Sequence, residues 1–187
     1  MSRLGRARAL HIDLTSQKHW IEEFSESYVK KYLGSRGIAS YILYRDVPEG
    51  CDPLCEESIL IFSPGLLTGT SAPTAGRTVV QGKSPATGTF IKSSMGGHWG
   101  AEFHYTGYDM LVLHGRSPEW INLVITDSIV KFLSAADYIG LDTRQTTLRL
   151  IDEVKTPGLS VSCIGPAGEN LVKIAGVMCD IYHTAAR

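Results

Sequence analysis

The sequence predicts an α+β fold, a strand-rich domain with mixed sheets and a few helices. Three observations predict it. Short alternating or β-branched runs bounded by glycine, proline and aspartate outnumber the helical stretches. Strands and helices do not alternate in the regular order of a doubly wound parallel sheet. Glycine is abundant, 19 of 187 residues or about 10% against a usual ~7%. The glycines gather in residues 65–88, 96–107 and 158–176, between the regular elements.

Taken in order, ALHIDL (9–14) alternates and reads as a strand. SESYVKKYL follows as a helix with Ser25 at its N-cap, and residues 34–37 interrupt it. IASYILYRDV is a second helix, stopped by Pro48. ESILIFS (57–63), GRTVVQG (76–82) and TFIKSS (89–94) read as strands. Residues 96–107 suggest a glycine-opened helix. DMLVLHG (109–115), WINLVIT (120–126) and IVKFL (129–133) form a strand series, with a hairpin turn at Asp127 and Ser128. Residues 143–154 place Leu148, Leu150, Ile151 and Val154 among polar neighbours, as in a helix. Strands at 159–165 and 171–179, separated by a turn at 166–170, complete the chain.

A chain of 187 residues can bury one real core. With 43% hydrophobic and 20% charged residues and a net charge of −1, it sets up no field to gather nucleic acid or an anionic membrane. The basic tip at Arg3, Arg6 and Arg8 is followed by no apolar run of signal-peptide type, and no segment reaches transmembrane length, so a cytoplasmic location is expected. Cys51 and Cys55 form a C-x3-C pair, while Cys163 and Cys179 stand far off. Two thiols do not close a metal shell, so the expectation is two loop thiols and two buried small hydrophobes in a reducing compartment.

Three kinds of chemistry come under consideration. Gly76-x5-Gly82-Lys83-Ser84 misses a phosphate loop by one residue, and RTVVQ reads as strand with Pro85 following, so no strand-to-helix bend gathers the amides. No G-x-S-x-G elbow marks any serine as a nucleophile. His11 and His114 fall in strands as structural histidines, whereas His98 and His104 are positioned to face a ligand. The third is a glycine-lined surface for a polyanionic, ring-bearing ligand, built from residues 65–77, 93–100 and 183–187. Glycine lets the backbone approach a flat or phosphorylated group, and Arg77 adds a permanent charge with a planar fork of donors.

GLLTGTSAPTAGR, LGSRGIASYIL, DPLCEESILIF, KSPATG, MGGHWGAEFHYTGYD and IGPAGENLVKIAGVM together resemble, in order, the N-terminal domain of the tungsten-containing aldehyde ferredoxin oxidoreductase family. That resemblance implies a base domain carrying tungsten, or molybdenum, between two pterins. It implies a 4Fe-4S cluster held by later helical domains that residues 1–187 do not contain, and oxidation of aldehydes to carboxylates with ferredoxin as partner. Homo-oligomers are compatible with it. On this basis Arg77 matches the arginine between pterin and cluster, and Gly76 gives it room. Ser94 and Thr184 match positions whose backbone carbonyls hold the magnesium that joins the pterin phosphates. Gly96 and Gly97 match the glycine pair beside them. His183 replaces a common arginine, Ala185 adjoins Thr184, and Arg187 opens an R-G-G turn. The implied function is that of a tungstopterin-binding domain, inactive by itself. The alternatives are a non-catalytic pterin-binding or accessory subunit that pairs with a separate catalytic chain, and a generic metabolite-binding domain.

Overall fold

A computed structural model describes residues 5–186; Arg3 and Arg187 lie outside them. Six strands form a mixed sheet: β1 (Arg6–Asp13), β2 (Lys18–Ser25), β3 (Leu60–Pro64), β4 (Thr78–Lys83), β5 (Phe90–Met95) and β6 (Met110–His114). Their order is β2-β1-β6-β3-β4-β5. Only β1 and β6 run parallel; every other neighbouring pair is antiparallel. The fold is thus the α+β class the sequence predicts.

The two faces of this sheet follow the period of two. Ala7, Ala9, Ile61, Met110 and Val112 face one core, and Leu10, Ile12, Phe62, Val80 and Leu111 face the other. The first core is closed by α1 (Glu26–Tyr32) and α2 (Ser35–Asp46). Ile38, Ala39, Ile42 and Leu43 form the buried stripe of α2 at helical spacing. Ile38 and Ile42 are fully buried, each contributing about 1.5–3 kcal/mol of hydrophobic stabilisation.

The second face carries α3 (Trp99–Tyr105), where Trp99 stacks on Phe103 at 5.0 Å. A separate hairpin of β7 (Ile121–Ile125) and β8 (Val130–Ser134) turns Leu123, Ile125, Val130 and Phe132 toward the same core. Then comes α4 (Thr143–Val154), opened by a capping box in which Asp142 accepts from Gln145 N at 2.7 Å and Gln145 Oε1 accepts from Asp142 N at 3.3 Å. The short helix α5 (Pro166–Glu169) follows β9 (Ser162–Cys163). β10 (Val177–Cys179) and β11 (His183–Ala185) complete a three-stranded sheet in the order β11-β10-β9.

Several expectations are corrected. Residues 18–25 are a strand that the sequence did not announce. Its side chains are mostly exposed, and Phe24 is the one buried residue in it, so there is no apolar alternation to read. The second helix starts at Ser35 and includes Gly37. Ser25 stands at an N-cap, but its hydroxyl meets Ser27 Oγ at 2.7 Å instead of capping the backbone. The expected strand at 171–179 shrinks to Val177–Cys179, because Leu171, Val172 and Ile174 are exposed and turn away from the core. The strand at 159–165 shrinks to two residues, and the turn at 166–170 holds one helical turn instead. Cys51 and Cys55 are not free loop thiols: their sulfurs are bonded to each other. Cys179 is buried as expected, and Cys163 is half-buried. Among the described residues no helix is long and apolar enough to cross a membrane.

Candidate functional site

Residues 65–77 form a closed loop between β3 and β4. Gly65 N donates to Arg77 O at 3.0 Å and Thr68 Oγ1 donates to the same oxygen at 3.2 Å. The hydroxyls abundant in this stretch satisfy its own backbone: Thr70 Oγ1 donates to Leu67 O at 2.7 Å and accepts from Ala72 N at 3.2 Å. His104, on α3, is buried and its Nδ1 donates to Thr68 O at 2.8 Å. It therefore braces the loop from below and does not face a ligand, contrary to the sequence expectation. The loop ends on Gly76 and Arg77, both exposed. The Arg77 guanidinium makes no hydrogen bond or ion pair with another described residue.

β4 places this arginine beside the end of β5, since Thr78 pairs with Met95 and Val79 with Ser94. A Cβ on Gly76 would lie 3.8 Å from Gly97 O. Gly97 has φ 87°, in the left-handed region that favours glycine, and turns the chain into α3. The third segment arrives from the other sheet. A Cβ on Gly96 would meet His183 Cδ2 at 2.8 Å, and one on Gly97 would meet His183 Nδ1 at 3.0 Å. Ser93 Oγ donates to Ala186 O at 2.9 Å. Gly76, Arg77, Ser94, Gly96, Gly97, His183, Thr184 and Ala185 therefore converge. Ala185 is buried beneath, while Arg77, His183 and Thr184 are exposed. Arg187 lies outside the described residues.

Asp180 locks this convergence, and sequence reasoning missed it. Its carboxylate accepts from Ser160 Oγ at 2.7 Å, Val161 N at 2.9 Å and His98 N at 3.3 Å. One side chain thus ties the β10–β11 turn to β9 and to the start of α3. The only sequence signal was an acidic residue directly after a largely apolar run ending in Cys179. Cys179 is fully buried, and burial together with the adjacent Asp180 carboxylate pushes its thiol up to about 12. It stays protonated and unreactive. His98 is exposed beside the face.

A large groove adjoins this face. It is an open groove of about 1530 Å³ between the α3 side of the sheet and the β7–β8 hairpin, reaching Ser93 and Ala185 at one end. Phe62, Trp99, Leu111 and Leu123 form its apolar wall, and Lys83, Glu102 and Arg116 are among the charged residues that also line it.

A second polar cluster occupies the helix side of the sheet. His11 Nδ1 and His114 Nε2 share a hydrogen bond at 2.8 Å, and His11 Nε2 lies 3.1 Å from Glu22 Oε2. Trp20 stacks on His11 at 5.0 Å, and Arg45 binds Glu22 through two hydrogen bonds of 2.6 and 3.0 Å. Burial, aided by His114, pushes His11 down to about 4, and burial lowers His114 as well. Both are the structural histidines expected from their strands.

The strand-rich mixed sheet thus presents a side-chain-poor face on which Arg77 is exposed and unpaired among the described residues. Residues 9–187 match the family described as aldehyde ferredoxin oxidoreductase, N-terminal domain, and the chain belongs to that family. It is 41% identical over 180 residues to a tungsten-containing aldehyde ferredoxin oxidoreductase of Thermococcus kodakarensis, covering 96% of this chain and 30% of that protein. An aliphatic sulfonate oxidoreductase, WOR-like subunit, of Pyrococcus furiosus is 31% identical over 193 residues, covering 95% and 31%. Among solved structures, a chain of the active-site complex BamBC of benzoyl coenzyme A reductase with 1,5-dienoyl-CoA superposes with a TM-score of 0.93 at 34% identity, covering 97% of this chain and 28% of that one. The chain thus spans about a third of the length of these relatives.

Proposed function

We propose that this chain is the tungstopterin-binding base domain of an oxidoreductase that converts aldehydes to carboxylates, with ferredoxin as electron acceptor. The observation that carries the reading is the convergence of two glycine-bearing segments and the small-residue segment 183–186 around the exposed Arg77. The donor set fits an anionic pterin metallocofactor. The guanidinium is uncommitted, glycine backbone lies open at Gly76, and the Asp180 carboxylate is already engaged by four donors, Ser160, Val161, His98 and Cys179. When bound, such a cofactor supplies the two-electron chemistry of carbonyl oxidation.

The chain's own residues bind and orient. Arg77 balances phosphate and dithiolene charge through charge-assisted hydrogen bonds. Gly76 lets the ring approach the backbone, and Gly96 and Gly97, the glycine pair beside it, make room for His183 at the edge. The backbone carbonyls of Ser94 and Thr184 would hold magnesium, supplying charge neutralisation for the cofactor's phosphates, and His183, Ala185 and Arg187 would contribute the edge of the site. The 4Fe-4S cluster and the substrate pocket belong to further domains, so the isolated chain is inactive. Aldehyde is favoured over sulfonate or aromatic thioester because the aldehyde-named relative is the more similar, at 41% against 31% and 34% identity.

The test is Arg77→Ala in the complete protein. The reading expects tungsten or molybdenum content and turnover to fall together while the fold, read by circular dichroism, is kept. Unchanged metal content and turnover would remove Arg77 from the site.

A further inference from the structure

The loop before β3 carries a feature outside the proposed cofactor face. Cys51 Sγ, Cys55 Sγ and a Glu57 carboxylate oxygen all lie within 4.8 Å of one another. The loop that holds them is braced by its own backbone: Cys51 N donates to Pro48 O at 3.2 Å, Cys55 N to Asp52 O at 3.0 Å, and Ser58 N to Cys55 O at 3.2 Å. Leu54 N donates to Asp52 Oδ1 at 2.8 Å, and Lys83 Nζ, from β4, binds Cys51 O. The three donor atoms are therefore placed by backbone turns and by a strand of the main sheet, not by the sulfur–sulfur bond alone. Cys51 is buried, Cys55 is half-exposed on the wall of the large groove, and Glu57 is exposed.

We infer that Cys51, Cys55 and Glu57 form a redox-gated site for a thiophilic divalent cation of the zinc class. Two sulfurs and one carboxylate are a soft-to-borderline donor set that suits zinc over magnesium or calcium. Asp52 and Glu56 add negative charge next to these residues in the sequence, and Lys83 is spent on a carbonyl. Three protein ligands leave a fourth position for water.

In the oxidised form the sulfurs are bonded to each other and cannot ligate. A dithiol reductant opens the site. Its thiolate attacks the more exposed sulfur, Cys55, and the Cys51–Cys55 bond breaks as Cys51 leaves as thiolate. The reductant's second thiol then displaces Cys55 and closes its own disulfide. Two electrons and two protons pass to the cysteines, and cation binding releases the two thiol protons.

The experiment adds cobalt(II) to the dithiol-reduced and to the oxidised protein and follows the thiolate-to-cobalt charge-transfer absorption. Bound zinc is measured by mass spectrometry after dialysis. The reduced protein is expected to show the absorption and to retain one zinc, and the oxidised protein neither. Cys55→Ser should abolish both, Glu57→Gln should weaken cobalt affinity about tenfold or more, and Cys163→Ser should behave as the parent. Circular dichroism checks that each variant is folded; if Cys55→Ser does not fold, Cys51→Ser takes its place. No absorption in reduced protein whose Cys51 and Cys55 thiols titrate as free would overturn the proposal. So would absorption that survives Cys55→Ser or is equal in the oxidised form.

Discussion

Replacing Gly100 by alanine sets two effects of opposite sign against each other. Gly100 is buried in α3, and alanine is favoured over glycine inside a helix by about 1 kcal/mol. Against this, a Cβ at Gly100 would overlap Thr78 Oγ1, and it would stand 3.2 Å from Thr68 Cγ2 and 3.4 Å from Pro64 Cβ. Thr78 has no escape by rotation. It is 1% exposed, and turning χ1 exchanges the hydroxyl for a methyl of similar size. Overpacking of this kind costs about 1–3 kcal/mol, so against the helix gain of about 1 kcal/mol Gly100→Ala should destabilise by up to about 2 kcal/mol net. The strain falls on the contact between α3 and the 65–77 loop that carries Arg77. Urea unfolding followed by circular dichroism reads this as a lower midpoint at unchanged slope. Thr78→Ala should recover much of the loss, because it removes the overlapping atom, and Thr78 Oγ1 is buried with no hydrogen-bond partner to forfeit. The double-mutant cycle should give a coupling of about 1 kcal/mol. A variant as stable as the parent, or a coupling of zero, would refute this packing argument.

Stability should fall with pH through the His11–His114 pair. Both imidazoles are held neutral in the native state, so the unfolded chain binds more protons below 6.5, the ordinary histidine value. The contribution is complete above 6.5 and is lost as pH drops toward 4, with about 3 kcal/mol at stake for His11. Urea midpoints across that window should decline, and less steeply in His11→Gln; equal slopes in parent and variant would remove His11 as the cause. Asp180→Ala strands four donors, one of them the weak Cys179 thiol, and should cost about 2–3 kcal/mol, with hydrogen exchange rising at His98 and Val161; exchange unchanged at both amides would contradict its role as the lock.

The sheet was legible where burial leaves a pattern. ALHIDL, ILIFS and MLVLH each send alternate apolar residues to the two cores, and all three are interior strands of the sheet. KHWIEEFS was not legible, because an edge strand exposed on most of its length needs no alternation. LVKIA misled in the opposite sense, since its apolar residues lie on an exposed turn. At the candidate site, the motifs named the three segments and Arg77, but the sequence could not show that they meet. That meeting depends on Asp180 and His104, whose bonds span 82 and 36 residues. The Cys51–Cys55 pair was visible as a spacing, but its closure and the nearness of Glu57 depend on turns at Pro48, Asp52 and Cys55 that only coordinates reveal.

The central claim is that the converging face around Arg77 carries an anionic pterin metallocofactor. The most direct measurement is tungsten, molybdenum and pterin content of the protein purified from its native cells. The account predicts tungsten or molybdenum together with pterin, at two pterins per metal atom. Protein that carries neither metal nor pterin would contradict it.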